Sequence, residues 1–513
     1  MTASPTAHRV LLIAVIGGSL LLGTRDAFSQ RKTGNMLGHL RPRHSREIAS
    51  SPWGIQAGTL DTAVLGKGAA IGVKWTRLAA SWREIEKERG IYSWQATDRA
   101  FAAAIQQGIT PFVCLSVSNR LYCSEALADN SQEREIYGSN PFPPTRDPRA
   151  LEAWLRFVRA TVERYKTSIR FWEIWNEPNH WAYWGATPNG ADYGLLVRET
   201  AAVIRTVDPG ARIIGGALAG LDPEFTDSFL ADGTADMIDI VSFHNYAATP
   251  EERIYKAAEV WTVIRKHRPE IQLWQGECGY PSHSSTRDYR GTSPWGIVIQ
   301  AKWLLRQAFT DVFFCRTTLS NYFKLAHEGG RNQKPRRSTL APLDSVLGFP
   351  ERGGSRVKSV GVNEKCILEN PGLEPKPAYF AYQNLCAVYD SRYSPRAIPT
   401  TVTIRDPGIF YGIGPEDDAF PSQPLVATFA TESGAGLVAY WLPWHPQEII
   451  REGSVMLALK GLSFKDPILI DLLSGEVYPL EQVPGPDGSA TFDNIPLADF
   501  PFVIAEKSEI EVQ

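Results

Sequence analysis

Between Trp53 and about Asp390, short runs rich in β-branched and aromatic residues alternate with stretches whose apolar positions recur at helical spacing. That alternation is the pattern of repeated βα units built around a parallel sheet. Eight runs read as strands: Trp53 to Gln56, Lys74 to Ala79, Thr110 to Val117, Ile169 to Trp175, Ala211 to Ala217, Ile238 to Tyr246, Ile271 to Glu277 and Val312 to Leu319. Helices are expected between them, among others at Thr97 to Gln107, Arg149 to Tyr165, Tyr193 to Val207 and Pro294 to Phe309, several of them ended by Gly or Asp-Pro-Gly. Eight repeats predict an α/β fold, a (β/α)8 TIM barrel over residues 51–390. After Asp390 the texture changes to short alternating or apolar runs separated by Pro, Gly and Asp: Thr401 to Ile404, Leu425 to Ala430, Gly436 to Leu442, Ile468 to Leu472 and Phe502 to Ala505. These predict a smaller C-terminal antiparallel β-sandwich over 391–513.

The first 29 residues read differently. Arg9 precedes an apolar run from Val10 to Gly23, and Ala27-Phe28-Ser29 offers small residues for a cut before Gln30. An export signal is expected there. The run, about 14 residues, is short of the roughly 20 that span a membrane, yet Arg25, Arg31 and Lys32 follow it, so an uncleaved anchor and membrane association through it stay open. Residues 30–50 read as a basic linker.

Composition narrows the function. Lys plus Arg number 53 and Asp plus Glu 56, a net charge of −3, which provides no field for nucleic acid. Six scattered cysteines, Cys114, Cys123, Cys278, Cys315, Cys366 and Cys386, show no metal spacing and fix no disulfide pairing. No phosphate loop, His-Glu-x-x-His or Gly-x-Ser-x-Gly signature occurs, so neither a metal nor a cofactor is expected.

Two segments carry chemistry. Phe171-Trp172-Glu173-Ile174-Trp175-Asn176-Glu177-Pro178 brings a carboxyl out of an aromatic strand and stops on Pro; Ile271-Gln272-Leu273-Trp274-Gln275-Gly276-Glu277-Cys278-Gly279 repeats the device beside glycines. In a barrel of this kind the chemistry lies at the C-terminal strand ends, which is where Glu177 and Glu277 fall, after strands four and seven. Two carboxyls facing each other across the mouth suggest glycoside hydrolysis, retaining if they are close and inverting if a water must fit between them. Glu173 shares the alternating face of Trp175 and Glu177 and is expected to be a buried carboxylate paired with an Arg.

The Trp175-Asn176-Glu177-Pro178 and Trp274-Gln275-Gly276-Glu277 segments resemble clan A of the glycoside hydrolases, most closely the family 39 group of β-xylosidases and α-iduronidases. The resemblance implies Glu177 as acid/base, Glu277 as nucleophile, and Asn176 as a ligand of the sugar 2-hydroxyl. It also implies Arg77, near the end of strand two, as the group holding Glu277 ionised, and His244 and Tyr246, ending strand six, as residues that meet the sugar or orient the nucleophile. Asn119, Trp181 and Trp184 are further subsite candidates, and Trp175 with Trp181 is expected to give Glu177 apolar surroundings. The chain departs from the clan at strand eight, where a Trp under the sugar is replaced by Thr317, Thr318, Leu319 and Tyr322. A Gly-, Pro- and Arg-rich connection from Lys324 to Glu364, containing Arg331, Arg336 and Arg337, reads as a surface insertion or a lid over an acidic sugar. The expected protein is an exported retaining glycosidase with a carbohydrate as its partner. A non-catalytic carbohydrate-binding barrel is the alternative, and it has no need of an intact Glu pair.

Overall fold

The computed structural model describes residues 35–513 apart from 58–61, 123–142, 186, 247–248, 283–295, 328–364, 370–371, 409–422, 445–452 and 486–488. The expected export segment, Cys123 and the basic residues from Arg331 to Lys358 lie outside the described residues. The chain forms two compact units, Pro42–Arg392 and Met1–Arg41 with Tyr393–Gln513.

The first unit is a closed parallel barrel of β1 (Trp53–Ile55), β2 (Trp75–Ser81), β3 (Thr110–Ser116), β4 (Phe171–Ile174), β5 (Arg212–Ala219), β6 (Ile240–His244), β7 (Gln272–Cys278) and β8 (Leu319–Tyr322). Each strand bonds to the next, and β8 closes on β1 through Ser320 opposite Trp53. The main helices outside it are α1 (Thr62–Ile71), α2 (Gln95–Gln106), α3 (Pro148–Tyr165), α4 (Gly190–Val207), α5 (Pro223–Leu230), α6 (Arg253–His267), α7 (Ile297–Phe309) and α8 (Pro377–Val388). In α3, Asp147 caps the Arg149 N–H and Pro148 sits in the first turn. Its inward stripe of Ala150, Ala153, Trp154, Phe157, Thr161 and Tyr165 follows the three-and-four spacing of an amphipathic helix.

One strand boundary was misread from the sequence. The run from Val312 to Cys315 is not β8; α7 continues through a π-helical turn at Thr310–Phe314, and the strand begins only at Leu319. An apolar run of that length does not distinguish strand from buried helix. Asp311, paired with Arg253 at 3.0 Å in a site where neither side chain is exposed, anchors the turn.

Side chains alternate across each barrel strand, so every second residue points inward. The inner residues sort into layers. At the N-terminal end Trp75, Phe112, Phe171, Ile214, Ile240, Trp274 and Leu319 form an apolar cluster of their own, with Trp75 edge-on to both Phe171 and Trp274. Two positions further along β2, β3, β4 and β6 stand Arg77, Cys114, Glu173 and Ser242, all buried. The barrel is thus sealed at its floor and polar above it.

Bulges shift the alternation near the mouth. In β7 the register breaks between Gln275 and Glu277, which brings Glu277 opposite His244; in β5 it breaks between Gly215 and Leu218. Bulges re-aim a side chain in this way. Just beyond β7, the backbone of Gly279 runs so close to β8 that a Cβ there would lie 1.6 Å from the carbonyl oxygen of Phe323. Gly279→Ala therefore has to separate the two strand ends. A stability loss of about 1–3 kcal/mol is expected from overpacking, read as a lower urea midpoint; an unchanged midpoint would show that the two strands separate freely.

The second unit holds two antiparallel sheets, as the sequence predicts. One has the order Gly38–His39, Glu476–Pro479, Pro467–Asp471, Phe502–Glu506, Gly436–Trp441, Leu425–Thr431, Tyr393–Pro395; the other has Thr400–Asp406, Gly453–Leu459, Ala490–Leu497 and Val483–Pro484. The stretch 30–50 is not a plain linker in its described part. Gly38 and His39 pair with Val477 and Glu476, while His44 caps a short 3-10 turn at Ser45–Glu47 in the barrel unit.

Candidate active site

Glu177 reaches the mouth through an unusual backbone. Trp175 and Glu177 both have positive φ, 69° and 47°, a region that costs a non-glycine residue roughly 1–2 kcal/mol. The strain is held by two cross-strand bonds of 2.9 Å, from the Trp175 N–H to the Leu115 carbonyl and from the Glu177 N–H to the Ala217 carbonyl. Their effect is to turn Trp175 outward, into the layer between strands and helices, where its ring meets Trp154 and Trp184. Glu177 is left at the mouth, its side chain 14% exposed. Trp175 and Trp184 are therefore core residues, not the apolar wall or subsite expected of them.

Glu277 sits across the mouth and is held by donors from two elements. Arg77 of β2 donates from Nη1 to its Oε2 at 2.9 Å, and the Tyr246 hydroxyl, just past β6, donates to its Oε1 at 2.6 Å. Burial alone would raise the pKa of Glu277, but the charges of His244 and Arg77, the Tyr246 bond and the charge of Lys365 outweigh it and hold the carboxyl below its ordinary range. Arg77 does more than face Glu277. Its Nε donates to Glu173 Oε2 at 2.6 Å and its Nη2 to Asn176 Oδ1 at 2.9 Å. Ser242 completes the shell of Glu173 with a 2.7 Å bond to Oε1. Glu173 is the buried, Arg-paired carboxylate that period two predicts, and burial, which opposes the charge of Arg77, is outweighed by Glu173, Cys114 and Glu277. Arg77 stays a cation. Beside it the Cys114 thiol is pushed up to about 12, chiefly by burial, and is a neutral spacer.

His244 Nδ1 lies 3.0 Å from Glu177 Oε1, within hydrogen-bond range. One oxygen of each carboxyl and one ring nitrogen of His244 lie within 4.8 Å of one another. That spacing would also suit a divalent cation, but the charges of Arg77 and Lys365 beside it oppose one.

Not every candidate joins this cluster. Asn119 is buried, donates to the carbonyls of Glu86 and Trp82 at 2.7 and 3.4 Å, and accepts the Leu121 N–H at 3.0 Å. It braces the segment after β3. Trp181 opens the short helix Trp181–Trp184 and stacks on His180. Two residues that no motif singled out do belong to the mouth. Phe323, immediately after β8, meets the Tyr246 ring edge-on at 6.3 Å. The Lys365 Nζ lies 4.0 Å from the Tyr246 ring centroid and 5.8 Å from that of Phe323. Placing β8 at its true position would have put Phe323 at a strand end; Lys365 has no sequence signal.

Because Tyr246 is the donor that fixes Glu277 Oε1, Tyr246→Phe removes one charge-assisted bond, worth roughly 1.5–3 kcal/mol. Burial, and then the Glu277 charge, push the phenol well above its ordinary pKa, so it donates throughout the working range. A fall of about 10- to 100-fold in kcat/KM is expected. With one stabiliser of the anion gone, the Glu277 pKa rises and the acid limb of the pH profile moves to higher pH; an unmoved limb would remove Tyr246 from that role.

Comparison with known proteins bears out the resemblance to family 39. The family model described as "Glycosyl hydrolases family 39" matches residues 72–263, which include Arg77, Glu177, His244 and Tyr246 but end before Glu277. A β-xylosidase of Geobacillus stearothermophilus is 27% identical over 185 residues, covering 34% of this chain and 35% of that protein. A β-xylosidase of Caldicellulosiruptor saccharolyticus is 30% identical over 166 residues, covering 30% and 31%. The match thus spans about a third of the length of these curated relatives. Among solved structures, a monomeric β-xylosidase from Caulobacter crescentus CB15 shares the fold at a TM-score of 0.56 and 16% identity, over 91% of this chain and 97% of that one. A family 39 glycoside hydrolase from Bacteroides cellulosilyticus WH2 does so at a TM-score of 0.57 and 16% identity, over 88% and 81%.

Proposed function

We propose that this protein is a retaining glycoside hydrolase that cleaves O-glycosidic bonds of oligo- or polysaccharides by double displacement. The observation that carries the reading is the close approach of Glu177 and Glu277, whose nearest oxygens lie within 4.8 Å. Retaining pairs stand about 5–5.5 Å apart, whereas inverting pairs leave about 6.5–9.5 Å for a water. In the first step the Glu277 carboxylate attacks the anomeric carbon while Glu177 delivers its proton to the departing oxygen, giving a glycosyl ester on Glu277. In the second, Glu177 takes a proton from water, the water oxygen attacks the same carbon, and the ester bond to Glu277 breaks.

The surrounding groups divide the work. Arg77 and Tyr246 keep Glu277 ionised and aimed, and His244 stands within hydrogen-bond range of Glu177. Asn176 is fixed through its carbonyl by Arg77, which supports its amide as the donor to the sugar 2-hydroxyl, a contact that strengthens in the transition state. β-Xylosides are the first substrates to try, since the Geobacillus and Caldicellulosiruptor relatives described above are named β-xylosidases. The test is a panel of aryl glycosides with the first-formed anomer followed by proton NMR. Release of sugar with the substrate's own anomeric configuration supports the reading; first-formed sugar of opposite configuration, or no turnover across the panel, would overturn it.

A further inference from the structure

We infer that Lys365 is a positioning residue for the nucleophile, a cation seated on the face of Tyr246 that helps to keep Glu277 ionised and in line. The inference rests on the glycosidase reading above and extends it to a residue no motif carries. The geometry is direct. Lys365 Nζ lies 4.0 Å from the centroid of the Tyr246 ring, within the range of a cation–π contact, and the hydroxyl of that ring donates to Glu277 at 2.6 Å. An ammonium on a phenol face withdraws electron density from it. The hydroxyl becomes a stronger donor to the carboxylate, and the ammonium adds its own field in a site shielded from water.

Glu277 is faced by charge from several directions. Arg77 comes from β2, His244 and Tyr246 from the end of β6, Glu177 from the end of β4, and Lys365 from beyond the long connection that follows β8. Glu173 acts at one remove, since it shares Arg77 with Glu277. Without Lys365 the charges that hold Glu277 down reduce to His244 and Arg77, the latter shared with Glu173. Burial sets the Lys365 pKa below its ordinary value, an effect to which the Lys324 charge adds and which the charges of Glu277, Cys278 and Glu177 oppose without reversing. The Lys365 backbone is itself fixed, its carbonyl accepting from Gln300 Nε2 at 3.2 Å and from the Lys324 N–H at 3.4 Å. Phe323 borders the same ammonium at 5.8 Å, so the end of β8 and the far end of the connection meet at this charge.

The sign follows from the charge. Removing a cation from beside a carboxylate raises that carboxyl's pKa, so activity fails at a higher pH as the solution is acidified. Lys365→Met is expected to move the acid limb of kcat/KM upward by roughly half to one pH unit, and Lys365→Arg, which keeps the charge and stacks on an aromatic face, to bring it back. Tyr246→Phe supplies a second comparison. Because Lys365 acts partly through the hydroxyl, the limb of the double variant should move by less than the sum of the two single shifts.

A second readout does not depend on turnover. A water-soluble carbodiimide reacts with protonated carboxyls, and its labelling of the Glu277 peptide can be followed by mass spectrometry. The pH at which Glu277 becomes reactive should rise in Lys365→Met and return in Lys365→Arg. If Lys365→Met leaves both the acid limb and the labelling pH where they stand, the role of Lys365 is overturned while the glycosidase reading survives. If the labelling pH moves in a chain that turns over no glycoside, the glycosidase reading fails and the electrostatic link between Lys365 and Glu277 is upheld.

Discussion

Glu277→Gln is expected to lower kcat by on the order of 10⁴-fold or more in a chain that still folds. The amide is nearly isosteric with the carboxylate, but it does not form the glycosyl ester through which both steps of the proposed mechanism pass. The fold survives because Arg77 keeps its second carboxylate: Glu173 still accepts from Nε at 2.6 Å, so no buried cation is left unpaired. One local cost remains, since Arg77 and Tyr246 both donate to Glu277 and the amide offers only one oxygen to receive them. Far-ultraviolet circular dichroism like that of the wild type, together with loss of the ester from the Glu277 peptide in a quenched reaction, checks both halves. Activity close to wild type would remove Glu277 as the nucleophile.

Glu177→Ala is expected to separate the two chemical steps. In the proposed double displacement its carboxyl protonates the departing oxygen and then accepts a proton from water, and those demands fall differently on different substrates. On a poor leaving group, activity should fall by about 10²- to 10⁴-fold, the usual worth of general acid catalysis. On an activated aryl glycoside the first step needs little proton transfer, so the glycosyl enzyme accumulates and a burst of aryl alcohol appears. Azide attacks that ester without base assistance and yields a glycosyl azide of the substrate's own anomeric configuration, β for a β-glycoside. An azide product of inverted configuration, or equal impairment on every leaving group, would reject the assignment of Glu177.

Much of the barrel was legible because its strands obey period two and its helices obey the three-and-four spacing. Glu173 was placed correctly by parity: sharing the alternating face of Trp175 and Glu177 marked it as a buried carboxylate, and Arg77 supplied the partner. The same parity misled at Trp175. There the positive φ turns the ring out of the barrel, and nothing in the residue identities announces a backbone that leaves the strand path. The β8 boundary was lost for a different reason. Val312 to Cys315 is apolar enough for either a strand or a buried helix, and the buried Asp311–Arg253 pair that favours the helical turn joins residues far apart in the chain. Asn119 looked like a subsite ligand because it follows a barrel strand, but its three bonds to backbone groups make it a brace. Lys365 lies beyond sequence reading altogether, since its meaning depends on a contact with the Tyr246 ring that joins residues far apart in the chain.

The layering of the barrel interior ties durability to turnover. Above the sealed apolar floor, the space in which Arg77, Glu173 and Ser242 are packed is one that a barrel under no catalytic demand fills with aliphatic side chains, and such a filling is often as stable or more so. Variants selected only for resistance to heat would therefore be drawn toward emptying this layer of charge, and the first capacity they lost would be the aim of Glu277. Hardening that spares the enzyme has to come from elsewhere, from the outer helices or from the sheets of the second unit.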